Sequence, residues 1–161
     1  MELDQRIRMM EEILTRQLKV SANADTKVST LIGINTTMLA VVAALITEPK
    51  VLNVWLILLT VLAVGGLLLA LLFLSLGSAP RTSKASPSII FFGQIVKRDR
   101  DTYRERVKAI TEEEYLDDLA HQTHRMAEIA SQKYLWIQRA QKAWYASIIP
   151  WLLTVYMLYG G

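Results

Sequence analysis

Asp117, His121, His124 and Glu128 follow one another at spacings of four, three and four, the densest set of potential ligands in this chain of 161 residues. On a helix this rhythm puts all four on one face, a geometry open to a divalent metal. The competing reading is a solvated face on which histidine stands beside carboxylate at i,i+4, each pair adding roughly 0.2–0.5 kcal/mol. Metal sites need further inward-facing partners, and these four lie opposite an apolar stripe, so no metal is expected. A second concentration holds Arg98, Arg100, Arg104, Arg106 and Lys108 with Asp99, Asp101 and Tyr103. Arginine pairs bidentately with phosphate and an aromatic ring stacks on a base, so this segment suits a phosphate-bearing small ligand. A solvated surface, or contact with anionic lipid, would use the same residues.

Catalysis has no visible machinery. There is no Walker loop, Rossmann glycine pattern, kinase motif set or nucleophile elbow, and the absence of cysteine removes thiolate nucleophiles, disulfides and cysteine-based zinc sites. Neither an enzyme, a cofactor nor a nucleic-acid partner is expected.

The elements that would position these side chains are dominated by apolar runs. Residues 51–76 carry no charge, and 26 residues of helix rise about 39 Å, more than the roughly 30 Å of hydrocarbon requires. A shorter run covers 31–46, and 143–159 is a third, near the lower length limit and interrupted by Pro150. The expected fold is an all-α membrane protein with three transmembrane helices, a cytoplasmic helical stem and a small cytoplasmic domain. Its segments are an amphipathic helix at 1–29, spans at 30–47, 51–76 and 143–159, an external loop at 48–50 and a cytoplasmic domain at 77–142.

Orientation follows from the cations. Arg6, Arg8, Arg16, Lys19 and Lys27 precede the first span, and 77–142 holds 12 Lys and Arg against 9 Asp and Glu, whereas the first loop has only Lys50. The positive-inside rule then places the arm and 77–142 in the cytoplasm, with Gly161 outside. The first thirty residues are charged throughout and lack an apolar h-region, so no signal peptide is expected ahead of the spans. In the arm Leu3, Ile7, Met10, Leu14 and Leu18 recur at helical spacing, and no Gly or Pro intervenes before Gly33, so one helix can run from arm into span. Thr111 with Glu114 forms a capping box for a last helix that can continue into the third span, where neighbouring helices or Thr154 could satisfy groups freed by Pro150.

On that helix Leu116, Leu119, Thr123, Met126, Ala130, Tyr134 and Ile137 form a stripe expected to pack on the stem, within one chain or between two. Ser29, Gly33, Thr37, Ala40 and Ala44 share a face of the first span, and Gly66 with Ala70 makes a small-xxx-small pair, for packing inside a protomer or in an oligomer. Asn35 and Asn53, near span ends, are expected to reach interfacial water. Residues 89–93 fit either a short strand or an anchored loop.

Several short segments resemble the Pycsar effectors of the PycTM type. They are Ala24-Asp25-Thr26-Lys27 leading through Gly33 to Asn35, then Phe91-Phe92-Gly93, then Glu113 to Tyr115, and finally Ser131 to Tyr134. The resemblance implies a small membrane protein of the bacterial inner membrane, paired with a cyclase that makes cyclic UMP or cyclic CMP on phage infection. Such an effector responds by impairing that membrane in abortive infection. The layout is also similar to helical-domain effectors with two or four spans from other nucleotide-activated defence systems. Partners would then be the cyclic pyrimidine nucleotide, the lipid bilayer and possible further copies of the chain.

Lys27, Arg98 and Arg100 are the candidate nucleotide-binding residues. Asp25, Phe91, Phe92 and Gly93 are motif residues without an assigned role. Asp25 and Lys27 fit either a ligand role or an interfacial salt bridge with a snorkelling lysine. The phenylalanines fit domain core or interfacial anchors better than stacking platforms, and Gly93 fits a turn requiring positive φ. The rival from another class is a constitutive scaffold or regulatory subunit that recruits a partner through its cytoplasmic helices.

Overall fold

A backbone surrounded by hydrocarbon must bond to itself, and apolar stretches without internal breakers do so as long helices. The computed structural model describes residues 2–46, 53–79 and 88–160, and every regular element in them is helical: α1 (Leu3–Leu45), α2 (Val54–Ser78), α3 (Phe92–Ile95), α4 (Arg100–Ala109) and α5 (Glu112–Gly160). The expected loop at 48–50, the ends of the two spans beside it, and positions 80–87 of the expected domain, with Arg81 and Lys84, lie outside the described residues.

Local chemistry accounts for the helix limits. Arm and first span form one helix of 43 residues, as their freedom from breakers before Gly33 requires. Hydroxyls along α1 return to the carbonyl one turn back, Ser29 to Asp25 and Thr37 to Gly33, which satisfies them without water. Asn53 starts α2 by accepting the Trp55 N–H at 3.1 Å. Asp99 caps α4 through the Asp101 N–H, and Thr111 caps α5 by accepting the Glu114 N–H at 3.2 Å. From there α5 runs 49 residues, with Pro150 inside it. Two helices, α1 and α2, are long and apolar enough to cross a membrane.

The chain divides into a charged unit, residues 1–23 with 80–131, and an apolar unit, 24–79 with 132–161. In the apolar unit Ala24 and Val28 of α1, Leu74 of α2, and Ile137 and Ala140 of α5 form one buried cluster. Small residues permit the approach. A Cβ added to Gly66 would lie 2.8 Å from the Ser147 Cβ, and one added to Gly77 would lie 3.0 Å from that of Trp136. The Trp151 Nε1 donates to the Met38 carbonyl at 3.0 Å, tying α5 to α1. The small-xxx-small pair of α2 therefore serves packing within the chain, while Ser29, Gly33, Thr37, Ala40 and Ala44 remain exposed.

The α5 stripe is turned inward over its whole length, with Leu119, Thr123, Ala130 and Ile137 buried. Its pairing with α1 is made inside the chain. In the charged unit the Tyr115 hydroxyl donates to the Glu11 carboxylate at 2.9 Å, and burial together with that bond raises the tyrosine pKa.

Of the two readings of 89–93, the anchored loop holds for 89–91, which leads into the single turn α3 at Phe92. Three expectations are corrected. Gly93 lies in that turn, and no described glycine has positive φ. What it supplies is space, since a Cβ there would stand 2.7 Å from the Phe91 ring. Asn35 does not reach water: it is fully buried, its Nδ2 donates to the Leu31 carbonyl at 2.7 Å, and its Oδ1 has no partner. The Thr154 hydroxyl, also fully buried, relieves nothing near Pro150, because it too is without a hydrogen bond.

Gly66→Leu should destabilise the chain by about 1–3 kcal/mol through overpacking against Ser147, whereas Gly65→Leu, which meets open space, should not. Unfolding in mixed micelles of rising sodium dodecyl sulfate content would read the difference. In the same assay Thr154→Val, which removes an orphaned hydroxyl at nearly constant shape, should be neutral or stabilising by about 1 kcal/mol.

Candidate functional site

The charged unit contains a polar cavity of about 240 Å³ lined by Ser88, Ile89, Arg98, Arg106, Ile110, Glu114, Asp117, Asp118 and His121. Its wall is fixed by one buried serine. The Ser88 hydroxyl donates to Asp118 Oδ2 at 3.0 Å and accepts the N–H groups of Ile90 and Phe91 at 3.1 and 3.0 Å. The same Asp118 oxygen accepts the Ile89 N–H at 2.9 Å. Arg98 Nη1 donates to the Ser88 carbonyl and the Tyr103 hydroxyl to the Ile89 carbonyl, both at 3.0 Å. Residues from between α3 and α4, from α4 and from α5 thus hold the short Ser88-Ile89 segment on both its polar sides.

Two guanidiniums face three carboxylates here. Asp118 is committed to Ser88 and Ile89, and Glu114 is 3.4 Å from Arg106, a loose pair that exchanges readily with another partner. Arg98 spends one N–H on Ser88 and keeps the rest of its fork. Such a lining can meet an anionic group with Arg98 and Arg106 while Asp117 accepts from a hydroxyl or N–H donor. It disfavours a polyanion, since the carboxylates outnumber the arginines.

The sequence candidates separate. Arg98 lines the cavity, joined by Arg106. Arg100 is exposed on α4 and lies outside the lining, and Lys27 belongs to the apolar unit, where its Nζ stands 5.1 Å over the Tyr134 ring. Asp25 pairs with Lys133, whose Nζ reaches both carboxylate oxygens at 2.7 and 2.8 Å and whose side chain is only 15% exposed. The Asp25 to Lys27 and Lys133 to Tyr134 segments, 108 positions apart in the Asp25–Lys133 pair, therefore meet as an ion pair and a cation–ring contact.

The phenylalanines take different roles. Phe91 is partly buried, with the Arg125 guanidinium 4.9 Å over its ring, whereas Phe92 is 70% exposed. On the histidine face, His124 is 3.7 Å from Glu128 with both exposed, the solvated i,i+4 arrangement. Among the described residues no group of three His, Asp or Glu side chains is arranged to hold a metal ion.

Ser88 and Asp118 escaped the sequence reading, and nothing in it singles Arg106 out of the basic segment. A serine ahead of an apolar pair is a weak sign of a capped turn, and nothing local distinguishes Asp118 from Asp117, because the partner that sets it apart lies 30 positions away. Lys133 left a clearer signal, a lone cation between Ala130 and Ile137 on a largely apolar helix.

No curated protein and no solved structure matches the chain. The family model described as PycTM, Pycsar effector protein domain, matches residues 9–160, which include the whole cavity and all of α2, α3 and α4. Covered over nearly its full length, the chain belongs to the PycTM family of Pycsar effectors and is an anti-phage defence effector of the membrane type.

Proposed function

We propose that this effector senses a cyclic pyrimidine nucleotide, cyclic UMP or cyclic CMP from a partner cyclase, in the Ser88 cavity, and responds by impairing the bacterial inner membrane, so that infection is aborted. The observation that carries this reading is the pairing of Arg98 and Arg106 with Asp117 in one cavity. A cyclic phosphodiester brings a single negative charge for the arginines. The ribose hydroxyl, and the N–H of uracil or the amino group of cytosine, bring donors for a carboxylate. A triphosphate would bring charge that three carboxylates oppose.

Arg98 remains the leading phosphate partner, Arg106 takes the second place, and Arg100 and Lys27 serve as comparison positions. Losing one charge-assisted contact costs about 1.5–3 kcal/mol, or roughly ten- to a hundredfold in affinity. Arg98→Gln and Arg106→Gln should therefore weaken binding of cyclic UMP or cyclic CMP by about that factor, and Arg100→Gln and Lys27→Gln should leave it near wild type. Calorimetric titration of the purified chain with cyclic UMP, cyclic CMP, cyclic AMP and cyclic GMP reads affinity. Release of a trapped dye from liposomes reads the response. A ligand drives the active state only by binding it more tightly than the resting one, so the weakened variants should insert normally and need more nucleotide. Dye release independent of every nucleotide would favour a constitutive membrane subunit instead.

The same reading makes residues 143–159 a third span, with Met1 and 77–142 cytoplasmic. Support comes from packing: Ser147 touches Gly66 of α2, and Trp144 and Trp151 both bond to Met38 of α1, so this part of α5 shares the apolar surroundings of both span candidates. A reporter enzyme active only in the periplasm should be silent when fused after Lys142 and active after Gly161. Activity after Lys142, or silence after Gly161, would overturn the topology.

A further inference from the structure

Charge ends at different heights on the three helices of the apolar unit. On α2 nothing charged lies between Val54 and Ser78, and on α1 nothing follows Lys27 as far as Leu45, whereas α5 keeps Arg139 and Lys142. Contacts set the heights. Gly66 meets Ser147 and Gly77 meets Trp136, eleven positions apart on both helices, so α2 and α5 run antiparallel in one register. Asp25 meets Lys133, and Met38 meets Trp144 and Trp151, so α1 and α5 run parallel. Lys142, six positions past Trp136 and nine past Lys133, is therefore level with Leu71 of α2 and Ile34 of α1. That is about 9 Å along the helix beyond the Gly77 contact. Ile137 and Ala140, on either side of Arg139, are buried with Leu74 against Leu31, Ile32 and Leu71. Both cations thus leave the backbone at a height where the other two helices present leucine and isoleucine.

Arg139 and Lys142 are exposed, neither has an ion pair among the described residues, and α5 carries no carboxylate after Glu128. The Arg139 guanidinium lies back over the Trp136 ring at 4.7 Å, toward the N-terminal end of α5, the direction in which a cation escapes hydrocarbon. At the opposite end the helices finish level. Trp55 of α2, eleven positions ahead of Gly66, falls level with Leu158 of α5, between the exposed Tyr156 and Tyr159. From Trp55 to Ser78 α2 offers about 34 Å without a charge, but from Lys142 to Tyr159 α5 offers only about 25 Å, against a hydrocarbon core of about 30 Å. We propose that Arg139 and Lys142 form a site for the phosphate of anionic lipid, drawing head groups to a depth at which α1 and α2 still face acyl chains, so that one leaflet is thinned beside α5. The site presupposes that residues 143–159 are a third span, and it needs no nucleotide.

The chain has no cysteine, so a single introduced thiol reports on one place. Tyr145→Cys on α5 and Leu68→Cys on α2 are exposed and level with each other, and Leu152→Cys is exposed two turns further along α5. Each is spin-labelled in the full chain and reconstituted without nucleotide in vesicles of phosphatidylethanolamine with phosphatidylglycerol. The labels at 152 and 68 should collide mostly with lipid-soluble oxygen, and the label at 145 with a water-soluble nickel chelate. In an Arg139→Leu, Lys142→Leu background the label at 145 should come to match that at 68. A bimane fluorophore at 145 should be quenched by phosphatidylglycerol carrying a nitroxide high on its acyl chain at a lower mole fraction than by the matching phosphatidylcholine, about fivefold lower for each cation. The two leucines should remove that difference. Equal depths at 145 and 68 with the cations present, a shallow 145 with both removed, or equal quenching by the two lipids would overturn the proposal and leave the third span in place. Shielding of 145 from both reagents with dipolar broadening would overturn it as well, since a second copy would then cover this face. Nickel preference at 152 would overturn the third span itself and the proposal with it.

Discussion

The requirement that every buried backbone amide find a partner governs the rest of this molecule. In an apolar setting a helix meets that requirement within its own segment, and α1, α2 and α5 are accordingly unbroken over 43, 25 and 49 residues. Side-chain hydroxyls follow the same rule by bonding back to the preceding turn. With backbone demands met internally, helix association is left to close packing, which is why Gly66 and Gly77 sit where α5 presents Ser147 and Trp136. The cost appears at Asn35 Oδ1 and Thr154 Oγ1, two polar atoms buried in the apolar unit that no neighbour serves. Each unmet group forfeits about 1–3 kcal/mol, so this packing is stabilised by its small-residue contacts despite them.

What the sequence revealed and what it hid divide along one physical line. Periodicity, caps and breakers are local, and they located α1 as one helix, the Thr111 cap and the inward stripe of α5. Partners distant in the chain left little trace. Asp25 and Lys27, two positions apart, look like a pair of opposite charges, yet each finds its partner on α5, Asp25 at Lys133 and Lys27 at Tyr134. Gly93 invited a conformational explanation, while its actual constraint is the neighbouring Phe91 ring. Phe91 and Phe92 are identical and adjacent, yet the Arg125 side chain, distant in the chain, stands over the first while the second is exposed.

The cavity shows the same limit more sharply. Five cations between Arg98 and Lys108 are indistinguishable by type and spacing, but α4 sorts them by angle. Arg106 turns toward Glu114 and the cavity, and Arg100, Arg104 and Lys108 turn away. Arg98, ahead of the helix, is drawn in by the Ser88 carbonyl. One basic segment therefore supplies a half-open cavity lined by Arg98 and Arg106 and, apart from it, an exposed row of cations on α4.

Helix α5 gives this division its mechanical interest. It bears Asp117, Asp118 and His121 of the cavity and, further along the same unbroken backbone, Lys133, Trp136, Ser147 and Trp151 of the apolar unit. A packed helix cannot rotate or slide by a small continuous amount without losing contacts, so it settles in discrete arrangements. A ligand whose contacts with Asp117 and the two arginines favour one such arrangement biases the same helix at Lys133 and Ser147. The size of that bias is bounded by the ligand's differential affinity for the two arrangements, about 1.4 kcal/mol for each tenfold. The Asp25–Lys133 pair and the orphaned Thr154 hydroxyl stand on that stretch of α5, one a contact that a shift of the helix there would strain and the other a group that would gain from any repacking that offered it a partner.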